Sequence, residues 1–85
     1  MFYVYIIKSK KTGKIYIGYT SNLKIRLKEH NTNRVFSTKH KGPWELIYYE
    51  AYKSEADAKE REKQLKYYGK ALGQLKKRIE NCLKN

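Results

Sequence analysis

Acidic residues are scarce in this chain: eight Asp and Glu stand against twenty Lys and Arg, a net charge of +12. A balance this basic points to nucleic acid, or less directly to an anionic membrane surface. There is a single cysteine, Cys82, which excludes an internal disulfide and a cysteine metal cluster. A reducing cytosol is therefore the expected, cytoplasmic compartment. No apolar run reaches the roughly 20 residues of a membrane span. No charged-then-apolar stretch reads as a secretory leader, so no membrane partner is expected. Repeats, low-complexity segments and linkers are also missing. Eighty-five residues are expected to form one small domain, residues 1–85, with no room for a second catalytic module. What is plentiful is tyrosine, nine of the twelve aromatic residues. A disordered basic tail would lack them, so the chain reads as folded.

Phe2-Tyr3-Val4-Tyr5-Ile6-Ile7 and the stretch from Lys14 to Tyr19 are dense in β-branched and aromatic residues, and Lys10-Lys11-Thr12-Gly13 between them is a turn signal. They predict a hairpin with Tyr5 on one arm and Tyr16 on the other. Side chains alternate along a strand. An even-numbered loop puts the two phenols on one face, and a one-residue bulge would separate them. Thr20-Ser21-Asn22 offers caps for a helix to about Glu29 or His30. Leu23, Leu27 and His30 mark one stripe of it. Residues 31 to 43 read as a basic loop, and Trp44 to Tyr52 as a third strand. Ser54 and Asp57 form a capping pattern for a second helix. It is expected to run to about Tyr68, with Gly69 as its stop. A last amphipathic helix carries Leu72, Leu75, Ile79 and Leu83 on one side. The order ββαβαα predicts an α+β domain, a three-stranded antiparallel sheet flanked by helices.

Three groups of residues stand out on chemistry alone. Two phenols on one face of a basic domain suggest a site for an anion. Glu62 falls on the stripe Ala58, Glu62, Leu65, where the pattern asks for an apolar residue. A carboxylate there needs a partner, either a cationic side chain or a hard divalent cation. Arg26 and His30, four apart, share a helical face. Taken singly, Arg26 reads as a solvated charge and His30 as a helix-end residue favoured by the local dipole. Gly18 reads as a turn glycine or a point of close backbone approach. Arg34, Lys39 and Lys41 in the basic loop and Lys66 are candidate phosphate contacts. Phe36 and Trp44 have the chemistry to stack on a base, but both read as core.

Val4-Tyr5-Ile6 followed by Tyr16-Ile17-Gly18 resembles the paired signature of the GIY-YIG nuclease family. Leu23 to Asn31 resembles the family's first-helix motif, with its arginine and a histidine one turn on. Ala58-Lys59-Glu60-Arg61-Glu62-Lys63 resembles its second-helix motif. The resemblance covers about residues 3 to 66 in order. It implies Glu62 as the ligand of one Mg2+ or Mn2+, Arg26 as a clamp on the scissile phosphate, and His30 as a hydrogen-bond partner in the same pocket. It implies Tyr16 as the group that activates or steers the attacking water, with Tyr5 beside it. A free phenol titrates near pH 10, so such a base needs cations around it. Three departures stand: Tyr3 replaces the leading glycine, Tyr19 and Thr20 occupy the place of a frequent lysine, and Gln74 stands near the position of an asparagine.

The function expected is metal-dependent hydrolysis of phosphodiester bonds in DNA by a stand-alone domain, directed by DNA structure as in repair or recombination. A protein partner would supply specificity. The alternatives are a non-catalytic nucleic-acid-binding module of the same fold and an RNA- or ribosome-associated basic protein.

Overall fold

The computed structural model describes residues 1–84. The chain runs β1 (Phe2–Ser9), β2 (Ile15–Thr20), α1 (Leu23–Asn31), a short 3-10 turn (Phe36–Thr38), β3 (Trp44–Tyr52), α2 (Glu55–Tyr67), α3 (Gly69–Arg78) and α4 (Glu80–Lys84). The three strands form one antiparallel sheet in the order β2-β1-β3. The expected α+β class and strand count are therefore observed.

Each predicted element has its local cause in place. Gly13 takes φ +76°, which L side chains rarely adopt, and closes the hairpin through a bond from its N–H to the Ser9 carbonyl. The Asn22 side chain caps α1 by accepting from the Ile25 N–H at 3.1 Å, and Ser54 caps α2 at the Asp57 N–H. Two helical boundaries differ from expectation. Gly69 opens α3 instead of ending a helix before a gap, because Tyr68 alone, in extended backbone, makes the corner. The last helix breaks at Ile79 into α3 and α4. Ile79 is buried against the sheet, and the apolar stripe continues past it to Leu83.

Register decides what faces what. Tyr5 pairs with Gly18, and Ile7 with Tyr16. Residues opposite one another share a face, so the phenols of Tyr5 and Tyr16 lie on the same side, as an even-residue loop requires. A bulge does occur, but on the other pairing, between β1 and β3 at Ile6/Ile7, where it leaves the tyrosines in phase. The sheet thus divides two apolar clusters. Val4, Ile6 and Ile17 pack with Ala58, Leu65, Leu75 and Ile79. Tyr5, Ile7 and Trp44 pack with Tyr16, Leu23 and Leu27.

The rotation of α2 about its axis is a consequence of this packing. At about 100° per residue, taking Ala58 as zero, Leu65 falls near −20°, Arg61 near −60°, Glu62 near +40° and Lys66 near +80°. Ala58 and Leu65 are buried against the sheet. Arg61 turns toward β3, where it donates to both oxygens of Glu50 at 2.9 and 3.0 Å. Glu62 and Lys66 are left pointing to the opposite side, the β2 edge.

Gly18 is neither at a turn nor at a strand end. It sits inside β2, and the ring of its cross-strand partner Tyr5 lies over it. A Cβ there would come within 2.2 Å of the Tyr5 hydroxyl oxygen and 2.3 Å of Cζ. Gly18→Ala is expected to destabilise the protein by about 2 kcal/mol through that overlap. In a Tyr5→Ala background the overlap is gone, and the same change should stabilise by roughly 0.5 kcal/mol, the usual cost of a strand glycine. Equal effects in the two backgrounds, measured by denaturant unfolding, would contradict this packing.

Candidate active site at the open edge of the sheet

His30, on the last turn of α1, is completely buried. Its Nε2 lies 2.8 Å from the Tyr5 hydroxyl and its Nδ1 2.7 Å from the Thr38 hydroxyl. Both ring nitrogens are therefore satisfied, which a buried imidazole requires. A neutral ring has one N–H, so one hydroxyl donates to it and the other accepts from it. Burial, reinforced by the nearby Arg26 charge, pushes the imidazole down to about 4. Burial also pushes the Tyr5 phenol up to about 12; Arg26 opposes this, and Tyr16 and Glu62 add to it. At neutral pH the pair is uncharged.

Around this pair stand the other candidates. The Tyr16 ring meets His30 edge-on at 5.2 Å between centroids and Trp44 at 6.5 Å. Arg26 donates from Nη1 to Glu29 at 3.2 Å, while its Nε is buried without a hydrogen-bond partner among the described residues. An orphaned donor of this kind is costly, and the pair with Glu29 is part-exposed and worth little. The guanidinium loses little by turning to a phosphate. Glu62 is a quarter exposed and ion-paired with Lys66 at 3.2 Å, and the Lys66 ammonium lies 5.4 Å over the Tyr16 ring. Tyr16 belongs to the α1-side cluster and α2 packs on the other side, so Glu62 and Lys66 reach round the β2 edge.

Contacts thus link four of the five residues expected at the site, in the sequence Glu62, Lys66, Tyr16, His30, Tyr5, and Arg26 lines a small cavity together with Tyr5. The cationic partner for Glu62 that the sequence left open is present as Lys66, a residue whose expected place is only the phosphate backbone. Among the described residues, no group of three or more His, Cys, Asp or Glu can enclose a metal. One carboxylate still suits Mg2+, which completes its shell with water and phosphate oxygens. Arg34, Lys39 and Lys41 are exposed on the loop between α1 and β3. Gln74 instead lines a cleft of about 410 Å3 with Arg61, Lys77 and Arg78.

The sequence hid three supports of the site. Thr38 looks like one more polar loop residue, yet it is fully buried against His30, and its carbonyl accepts from the Trp44 indole at 3.2 Å. Asn31, the residue after His30, brackets the backbone of Trp44, accepting from its N–H at 2.6 Å and donating to its carbonyl at 3.0 Å. Glu50 is held by Arg61 and by the hydroxyls of Tyr48 and Tyr52. Phe36 corrects the reading in the other direction: expected in the core, it is 94% exposed.

The model of the GIY-YIG catalytic domain matches residues 1–78. A UPF0213 protein of Clostridium perfringens is 40% identical over 73 residues, 85% of this chain and 73% of that protein. One from Staphylococcus haemolyticus is 36% identical over 69 residues, 80% of this chain and 83% of its own. One from Staphylococcus aureus is 34% identical over 67 residues, 78% and 80% of the two chains. No solved structure matches significantly. Among the described residues no helix is long and apolar enough to cross a membrane.

The buried imidazole has a consequence for stability. Its folded value lies below its ordinary one of 6.5, so the unfolded chain binds the proton more readily. The stabilisation is complete above pH 6.5 and is lost as pH falls through 6.5 toward 4, by on the order of 2 to 3 kcal/mol. Thermal unfolding measured by circular dichroism should show the melting temperature falling across that window in the native protein. In His30→Gln it should be flat there. A slope that survives the substitution would mean another group is titrating.

Proposed function

We propose, because the chain belongs to the GIY-YIG catalytic-domain family, that it is a divalent-metal-dependent endonuclease hydrolysing phosphodiester bonds in DNA. The observation that carries this reading is the run of contacts from Glu62 through Lys66, Tyr16 and His30 to Tyr5, with Arg26 lining the same small cavity as Tyr5. It gathers an anion-binding guanidinium, two phenols and a carboxylate at one sheet edge of a chain with charge +12.

In hydrolysis a water oxygen bonds to phosphorus, the bond to the leaving oxygen breaks, and that oxygen takes up a proton. A Mg2+ or Mn2+ on Glu62 would supply Lewis-acid polarisation of the phosphoryl group and offset its developing charge. Arg26 holds the phosphate by donating two hydrogen bonds from its planar fork. Tyr5, a phenol with a value near 12, stays protonated at neutral pH and acts as a donor and positioning group, not a base. Tyr16 steers or activates the water. Most of the rate then comes from alignment and electrostatic stabilisation, so few residues suffice. The preference is for DNA of a particular structure, in repair- or recombination-type processing in the cytoplasm, with a protein partner adding specificity.

The second reading, a non-catalytic binding module, draws support from one observation. Lys66 already neutralises the carboxylate that would hold the metal. An isolated part-exposed pair contributes only about 0 to 1 kcal/mol, so a divalent ion with its phosphate can displace it.

Supercoiled plasmid incubated with Mg2+, Mn2+ or EDTA separates the two. Nicking is expected with either metal and not with EDTA. Glu62→Gln and Tyr16→Phe should each lower it by about a hundredfold or more, the scale of one lost electrostatic or positioning group, while DNA binding survives. Binding without cutting in every divalent ion would select the module, and a strong preference for RNA duplex over matched DNA would select the RNA-associated class. If Arg34, Lys39, Lys41 and Lys66 each neutralise a phosphate, log K against log salt should fall with a slope of roughly −3.6. A flat response would reject the electrostatic footprint.

A further inference from the structure

Phe36 is almost wholly exposed although it begins a turn whose flanks are buried, Val35 before it and Thr38 after it. Single exposed apolar residues are common and need no special account. Phe36 differs because the segment holding it is tied down from several sides. The Thr38 N–H bonds to the Val35 carbonyl at 3.1 Å, the Trp44 indole donates to the Thr38 carbonyl, and the Thr38 hydroxyl holds His30. The Asn33 side chain further closes the loop by accepting from the His40 N–H at 2.9 Å. The ring is presented outward by an ordered turn.

Its surroundings identify what it meets. Arg34, Lys39 and Lys41 are exposed on the same loop, so an occupant must carry negative charge as well as a flat apolar face. A nucleobase with its phosphates meets both demands, and an apolar protein surface meets only one. The distance fits too. Phe36 lies two Cα steps, at most about 7.6 Å, from Thr38, and Thr38 touches the imidazole at the heart of the site. Phe36 therefore stands on the loop that closes one side of the site.

We propose that Phe36 is a stacking platform for one unpaired base of the strand being cut, so that DNA with a flap, gap or single-stranded tail at the cut is preferred to continuous duplex. The proposal rests on the nuclease reading above and names its substrate class. In an intact duplex every base is already stacked on its neighbours. An unpaired base gains a new face from the ring without first breaking that stack.

The test compares a blunt duplex with the same duplex carrying a single-stranded tail, by fluorescence anisotropy in EDTA so that nothing is cut. Phe36→Ala is expected to weaken binding of the tailed DNA about tenfold, equal to about 1.4 kcal/mol and within what one base on an aromatic ring contributes. It should leave duplex affinity unchanged. The salt slope should not change for either DNA, since no charge is lost. Phe36→Trp should keep the tailed-substrate affinity. Matching melting temperatures for the variants exclude misfolding. Equal affinity of Phe36→Ala and the native protein for tailed DNA, or an equal loss on both DNAs, overturns the platform. If the native protein nonetheless nicks plasmid, the nuclease reading stands without it. If the native protein binds neither DNA, both readings fall together.

Discussion

The phenol of Tyr5 laid across the backbone of Gly18 and joined to His30 is the contact on which the rest of the site depends. It needs three things at once: a hairpin register that opposes residues 5 and 18, no side chain on the second, and a helix whose last turn brings an imidazole to the phenol. None of these is a local preference. The glycine costs β2 some stability, and the buried imidazole costs more unless both nitrogens find partners. Tyr5 and Thr38 are those partners, one from the first strand and one from the loop beyond α1. The packing of the hairpin against α1 and the geometry of the site are therefore one constraint.

A second constraint acts from the far face of the sheet. Burial would push Glu50 up, but bidentate Arg61 and the hydroxyls of Tyr48 and Tyr52 outweigh it and hold the carboxylate at about 2. Compared with the part-exposed pair of Glu62 and Lys66, this network is the rigid one. It reinforces the rotation of α2 that the burial of Ala58 and Leu65 sets, and consecutive residues on a helix diverge by about 100°. Fixing Arg61 toward β3 thus directs Glu62 to the β2 edge. Glu50 on β3 thus holds Arg61, and Glu62, one helical step from Arg61, stays outside that network.

Period and parity carry the features that were legible in the sequence. Alternation marks the strands and the shared face of Tyr5 and Tyr16, and the caps at Asn22 and Ser54 mark both helix starts. Glu62 is visible as a polar residue on an apolar stripe. The hidden features depend on contacts between segments far apart in the chain. Nothing local tells Thr38 from any other loop threonine, and His30 is 8 residues away from it. Phe36 misleads because hydrophobicity predicts burial, whereas this turn is held by its neighbours and leaves the ring outside. Gly18 misleads because a glycine near a strand end suggests a turn, and the reason for it lies on the adjacent strand. The break at Ile79 has no signal because its apolar stripe runs on unbroken.

The charge state of the site has its origin in the same burial. With the imidazole near 4 and the Tyr5 phenol near 12, the central pair is neutral across the whole physiological range. The charge at the rim is then carried by Arg26 and Lys66, which are cationic, and Glu62, which is anionic, and on the nuclease reading these are the groups that would meet a phosphate. A neutral centre with a charged rim suits positioning better than proton transfer through His30. Protonating that ring at the moment of reaction would mean charging a group that the protein has desolvated and holds down at about 4. A hydrogen-bonding role for His30 carries no such cost. The burial that makes the pair rigid therefore also argues against His30 as a proton acceptor.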